Sequence, residues 1–310
     1  MKVTSGLWSP ADLDAAKQIH AATYPEYQAA ADGVRYLRRW QPASQWSAPR
    51  LCIGRYLASE KGVLAYASLW ESRPGKLRFD LMTHPARRRR GAGQSLLTRL
   101  LSDAAGCGAA TLQARVRDDH PEAADFLARR GFAETQRMSA LELLTAGFQY
   151  TPWSPLVDRL ARNGIVITTL EQEQAAGEDW LSRLRELYNA ALPDWPDPDS
   201  GPGSVRPVTL EDFRRRAENE FKRRETFFIA TARNLYVGAC CLLAFGTAVH
   251  PLYRGQGIAT ALKASALRLA KEQGITALTT GTASPAMRAV NGKLGYRVYG
   301  TEIRLVKRLD

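Results

Sequence analysis

Two short segments of this 310-residue chain carry residue types suited to holding a large anion. The first reads His84-Pro85-Ala86-Arg87-Arg88-Arg89-Arg90-Gly91-Ala92-Gly93, and the second His250-Pro251-Leu252-Tyr253-Arg254-Gly255-Gln256-Gly257-Ile258-Ala259. Each lies between a strand-like run and a helix-like run. A basic, glycine-containing turn at a helix start exposes successive backbone N–H groups and aims the positive end of the helix dipole at one spot. A pyrophosphate fits such a cradle. Gly91 and Gly257 remove a side chain where backbone and phosphate must approach closely. Gly93 and Ala259 keep the first helical turn small, while Arg88 and Arg254, with Arg89 and Arg90, add charge. Alone, a G-x-G is a weak signal, and a run of arginines is usually a solvated patch. The complete word is more specific: Pro, two spacers, Arg, two spacers, Gly, one spacer, small residue, found twice.

The elements that must position these turns repeat as well. The second turn follows the first by 166 residues, and Ala128-Arg129-Arg130-Gly131-Phe132 is matched by Gly292-Lys293-Leu294-Gly295-Tyr296 after 164. In the first half, Leu51 to Ala58, Gly62 to Trp70 and Lys76 to Thr83 read as an antiparallel meander punctuated by Lys61-Gly62 and Pro74-Gly75. A helix carrying Leu96, Leu97, Leu100 and Leu101 follows, then a strand (Ala110 to Val116), a helix (Pro121 to Arg130) and a last strand (Phe132 to Leu144). The second half repeats the plan. Strands are expected over Thr226 to Thr231, Leu235 to Leu243 and Ala244 to Val249, with Phe245-Gly246 as a tight turn. A helix over Gly257 to Gln273, a strand over Ala277 to Gly281, a helix over Ser284 to Leu294 and a strand over Tyr296 to Lys307 complete it. Two helical stretches precede each meander, Pro10 to Thr23 and Gly33 to Trp40, then Glu178 to Ala191 and Leu210 to Arg223. Ser154 to Asn163 reads as a further helix, and the division into domains is placed at 1–150 and 151–310.

On these residues the chain resembles the GNAT acyltransferases, whose acetyl-CoA motif is Q/R-x-x-G-x-G/A. Its two copies here are Arg88-Arg89-Arg90-Gly91-Ala92-Gly93 and Arg254-Gly255-Gln256-Gly257-Ile258-Ala259. The resemblance implies an α/β architecture of two tandem GNAT folds. Each would be a V-splayed, mostly antiparallel mixed sheet flanked by helices, a layout similar to that of mycothiol synthase-like double-domain proteins. It further implies that the backbone at Met82 and Thr83, and at Ala248 and Val249, pairs with the pantetheine arm of acetyl-CoA, and that Asn291 contacts the cofactor. Asn291 also suits an ordinary helix position.

The implied activity is transfer of an acetyl group from acetyl-CoA to a primary amine of a small molecule. Such a reaction needs a base for the amine and donors for the oxyanion. The family's usual base is a carboxylate near the fourth strand, for which the first half offers Asp80 and, less well placed, Glu71. An edge salt bridge is the alternative role for either. Position 246 of the second half is Gly, and Phe227 to Pro251 holds no Asp or Glu. The leaving-group tyrosine common in the family is absent from both copies, where Phe126-Leu127 and Val290-Asn291 stand. His84 and His250 precede the same Pro in both turns, which points to a shared structural role. Tyr24-Pro25-Glu26-Tyr27 and Pro193-Asp194-Trp195 are candidate acceptor walls. A non-catalytic, regulatory acyl-CoA-binding protein is the alternative reading.

Bulk properties agree with this class. Apolar residues make up 45% of the chain and charged residues 24%, as in globular proteins. The net charge of +12 calls for an anionic partner. The absence of zinc-finger spacing, an RNP-type strand or a basic heptad region argues against nucleic acid. No apolar run suggests a membrane span or secretory leader, so a cytoplasmic location is expected. The four cysteines lack metal-ligand spacing, and no metal is expected. The residues leave the oligomeric state open.

Overall fold

The computed structural model describes residues 1–6, 8–24, 52–60, 62–73, 75–177, 179–194, 207–220, 223–242 and 246–309. Along the chain come β1 (Lys2–Ser5), α1 (Pro10–Thr23), β2 (Cys52–Ser59), β3 (Val63–Arg73) and β4 (Lys76–Thr83). Next are α2 (Ala92–Gly106), β5 (Thr111–Arg117), α3 (Pro121–Ala128) and β6 (Ala133–Leu144). The second half runs through α4 (Ser154–Arg162), β7 (Ile165–Thr169), α5 (Leu170–Ala176), α6 (Trp180–Ala191) and α7 (Leu210–Glu220). It ends with β8 (Phe227–Ala232), β9 (Leu235–Cys241), β10 (Thr247–Val249), α8 (Ile258–Glu272), β11 (Ala277–Thr282), α9 (Pro285–Lys293) and β12 (Arg297–Arg308). The expected helix at Gly33 to Trp40, the turn at Phe245 and the acceptor-wall residues Pro25, Glu26, Tyr27 and Trp195 lie outside the described residues.

The chain divides into two compact units: Met1–Met138 with Gly300–Asp310, and Ser139–Tyr299. In the first, β2 to β4 form the expected antiparallel meander, with Tyr66 opposite Met82 and Ser68 opposite Asp80, and β1 pairs along the outer edge of β2. Alternation along β4 sends Leu77 and Phe79 into the core, against Leu96, Leu97, Leu100 and Ala104 of α2. Burying each such leucine stabilises by roughly 1.5–3 kcal/mol. The other face of the sheet receives α1, whose Ala16 and Ile19 cluster with Leu57, Tyr66 and Met82. That helix starts with a capping box, Ser9 accepting from Asp12 N and the Asp12 carboxylate accepting from Ser9 N.

β4 and β5 are parallel partners only at Lys76–Arg78 with Thr111–Gln113. Beyond that point they part, which is the V-shaped opening the resemblance implies. The far edge of β5 pairs with β12, from Glu302 opposite Arg117 to Arg308 opposite Thr111.

In the second unit, β7 to β10 form a four-stranded antiparallel sheet. One side is covered by α6 and α7 through Leu184, Leu187, Tyr188 and Phe213, the other by α8 through Ile258, Ala261 and Leu262. β11 pairs with β6, Ala277 opposite Leu144 to Thr282 opposite Ser139.

These units differ from a contiguous division at 1–150 and 151–310. The chain leaves the first unit within β6 and returns to it within β12, which pairs with β5. The two last strands are of equal length, twelve residues, and similar pattern, and nothing local distinguishes which sheet edge each will meet. β1, β7 and α5 were not expected. β1 is too short to show a period, whereas Ile165–Thr169 is β-branched throughout and could have been read as a strand.

Candidate functional site

The two turns have one backbone shape. In each, a histidine Nδ1 accepts an N–H two residues on, His84 from Ala86 at 3.2 Å and His250 from Leu252 at 3.3 Å, and a single 3₁₀ turn follows. This is the structural role their repetition suggested. Arg88 and Arg254 are then extended (φ −64°, ψ 166° and φ −68°, ψ 161°), and Gly91 and Gly257 are left-handed at φ 82° and 90°. Between them Arg89 is left-handed at φ 61°, where the second copy has Gly255 at 78°. An L-residue held there costs about 1–2 kcal/mol, a strain of the kind that concentrates at functional sites. Neither Gly91 nor Gly257 offers a side-chain cap, so the first N–H groups of α2 and α8 have no acceptor from their own N-cap side chains.

The first turn opens into a cleft of about 550 Å³, within the range of small-molecule sites. Its walls are β4 from Phe79 to Thr83 and β5 from Ala114 to Val116, where those strands have separated. Arg88, Arg89, Gly91, Ala92 and Gly93 lie along it with Met82 and Thr83, so these expected residues are brought together. Arg90 is not among them and is exposed. The sequence reading missed further lining residues: Gln94, His120, Glu122, Arg129 and Arg130. Arg130 lies over the Phe126 ring at 3.7 Å and donates from Nε to Gln94 at 2.7 Å. In sequence the basic pair before Gly131 is visible in the repeat, but its spacing alone does not place it at the cleft. Arg88 donates to Glu122 at 2.9 Å, and the His120 ring nitrogen lies 3.6 Å from the same carboxylate.

Asp80 projects from β4 on the α1 face and lines this cleft. It also lines a smaller recess formed with Trp70, Arg78, Gln113, Arg115 and Arg304. Burial, and behind it the charges of Asp80 and Tyr24, push the Tyr66 phenol well above its ordinary range. It therefore stays protonated and donates to Met82 Sδ at 2.9 Å. The Glu71 carboxylate accepts from Gly75 N at 3.2 Å, closing the β3–β4 turn, and lines neither the cleft nor the recess.

The second cradle differs. Its residues Arg254 to Ala259 keep the turn, and Ala248 and Val249 form most of β10. However, α4 lies over it. A Cβ on Gly257 would meet Leu156 Cδ1 at 2.9 Å, whereas one on Gly91 would meet nothing within 4 Å. Arg159 reaches the Gln256 carbonyl at 3.4 Å, and Arg254 Nε donates to the Val249 carbonyl at 3.2 Å. Asn291, expected as a cofactor contact, is fully buried with both amide atoms lacking a partner.

Among the described residues, no helix is long and apolar enough to cross a membrane, and no group of three His, Cys, Asp or Glu could hold a metal.

The acetyltransferase (GNAT) family profile matches the chain twice, at residues 13–132 and 183–296. No curated protein matches it in sequence. Among solved structures it is similar to a GCN5-related N-acetyltransferase from Sphaerobacter thermophilus, with a TM-score of 0.72 and 18% identity over 99% of this chain and 96% of that one. It is also similar to a tandem GNAT protein from the clavulanic acid biosynthesis pathway, with a TM-score of 0.66 and 16% identity over 100% and 99%. At these identities the likeness concerns the fold.

Proposed function

Since the chain belongs to the GNAT acetyltransferase family, an acyltransferase family of which it holds two copies, we propose that it moves an acetyl group from acetyl-CoA to a small-molecule primary amine in its first unit. The observation that carries this reading is the place of Asp80, which lines both the cleft beside the first cradle and the adjoining recess. A base at that junction can meet an amine from one side and a thioester from the other.

In this reading the uncapped N–H groups at the start of α2, with Arg88, Arg89 and Arg129, hold the pyrophosphate. The β4 backbone facing the gap takes the pantetheine arm and donates to the oxyanion. The amine nitrogen attacks the thioester carbonyl carbon. The C–N bond forms as its proton passes to Asp80 directly or through water, and the C–S bond then breaks. His120, lining the same cleft, is available to return a proton to the departing thiolate.

The test is release of CoA thiol in the presence of an amine panel. Asp80→Ala is expected to lower turnover by about 10² or more, the scale of general-base catalysis, while acetyl-CoA still binds. Tight binding without release for any amine would instead favour the non-catalytic, regulatory role.

A further inference from the structure

One carboxylate of the first cleft stands between two groups that can donate to it. Glu122 Oε1 accepts from Arg88 Nη1 at 2.9 Å, and the same oxygen lies 3.6 Å from His120 Nδ1. The first distance is a charge-assisted hydrogen bond, and the second falls just outside hydrogen-bonding range. All three residues line the cleft. His120 is the N-cap residue of α3, yet its side chain caps no backbone N–H, so capping does not account for where the ring lies. Its other nitrogen, Nε2, lies 4.0 Å from Asp119 Oδ1, an oxygen that already accepts from Arg117 Nε at 2.9 Å. From α1 the Tyr24 ring meets the imidazole edge-on at 5.3 Å between centroids, with Arg117 over that ring at 5.3 Å. From β4, Asp80 lines the same cleft. Glu122 is thus the carboxylate beside His120 whose present partner belongs to the donor cradle.

Resting on the function proposed above, we infer that Glu122 is a positioning residue that passes from Arg88 to His120 when acetyl-CoA binds, and so readies His120 as the acid for the departing thiolate. A pyrophosphate offers Arg88 more negative charge than one carboxylate does, and arginine pairs with phosphate through two parallel hydrogen bonds. Drawing the guanidinium away leaves Glu122 Oε1 without its donor. A small side-chain rotation then closes the gap to the His120 Nδ1–H. The hydrogen bond made by one ring nitrogen decides which proton the other can give. With Nδ1–H held by Glu122, the imidazolium gives up its Nε2 proton. That N–H bond breaks as the S–H bond of CoA forms, and a neutral Nδ1–H imidazole remains. Solvent returns a proton to Nε2 while Asp80 releases the one it took from the amine, so protons balance over a turnover. The acid is thereby assembled only with the donor in place, which ties the chemistry to donor binding.

The experiment follows the ring nitrogens of His120 by nitrogen NMR of histidine-labelled protein, with His120→Gln assigning the signal and CoA as the probe. Saturating CoA should move His120 Nδ1 to the position of a hydrogen-bonded N–H. Arg88→Met should show that signal with no ligand present, and Glu122→Gln should not show it even with CoA bound. The Arg88 and Glu122 side chains are both more than a third exposed, so neither substitution disturbs the core. In kinetics, Glu122→Gln should lower kcat by about tenfold or more, part of the about 10²–10⁴-fold that general acid–base catalysis supplies, while acetyl-CoA binds more tightly. A merely structural role would not move those two quantities in opposite directions. Where an amine does release CoA, a His120 signal that CoA leaves unmoved, or moves equally in Glu122→Gln, overturns the inference and leaves the proposed function standing. A kcat unchanged by Glu122→Gln does the same. A Glu122-dependent signal without release for any amine supports the change of partner and overturns the proposed reaction. Neither signal nor release overturns both.

Discussion

Arg88 meets the cleft with its guanidinium already engaged, 2.9 Å from Glu122 across the opening. Both side chains are more than a third exposed, so the pair contributes about 0.2–1 kcal/mol. A pyrophosphate binding at the first turn must compete for that arginine. Glu122→Gln is therefore expected to tighten acetyl-CoA binding by up to about fivefold in a calorimetric titration. Weaker binding would mean that Glu122 supports the donor rather than opposing it. Arg89 makes a related point about the same turn. Its backbone adopts the left-handed form that Gly255 takes freely in the second copy. The run of arginines shows its charge in sequence, whereas the strain on Arg89 is a property of the folded turn.

Two similar turns become unequal through one helix. α4 sets Leu156 over Gly257 and Arg159 against the Gln256 carbonyl, whereas the space above Gly91 is open to the cleft. Calorimetry should then find one acetyl-CoA per chain. Gly91→Glu should abolish that site, and Gly257→Glu should keep it while lowering the melting temperature, because the new side chain meets Leu156 at a left-handed backbone position. Two sites in the unaltered chain would show that α4 yields to the ligand. The motif made both turns legible in sequence, since glycine spacing and helix start are local properties. The meander was legible for the same reason, its strands alternating between punctuating Gly and Pro residues. What covers a turn is not local: α4 has an apolar face in its sequence, but the spacing of Leu156, Val157 and Leu160 does not say what that face packs on. Asp80, the proposed base, stands eight residues before the motif's Arg88, whereas Glu71, equally acidic, closes a hairpin turn. Nor could the recess arginines be grouped from sequence, because Arg304 reaches Arg115 only through a strand pairing far along the chain.

That pairing governs the molecule as a whole. The first unit contains the cleft, yet the outer edge of β5 is closed by seven residue pairs with β12, which also brings Arg304 to the recess. Cutting after residue 150 would leave that edge bare, a template for aggregation, and would remove part of the site. The fragment 1–150 is expected to show no cooperative unfolding and no acetyl-CoA binding. Joining 1–138 through a flexible linker to 300–310 restores the residues of the compact unit and should recover both, read by thermal denaturation and calorimetry. Cooperative unfolding with ligand binding by 1–150 alone would show that β12 is dispensable.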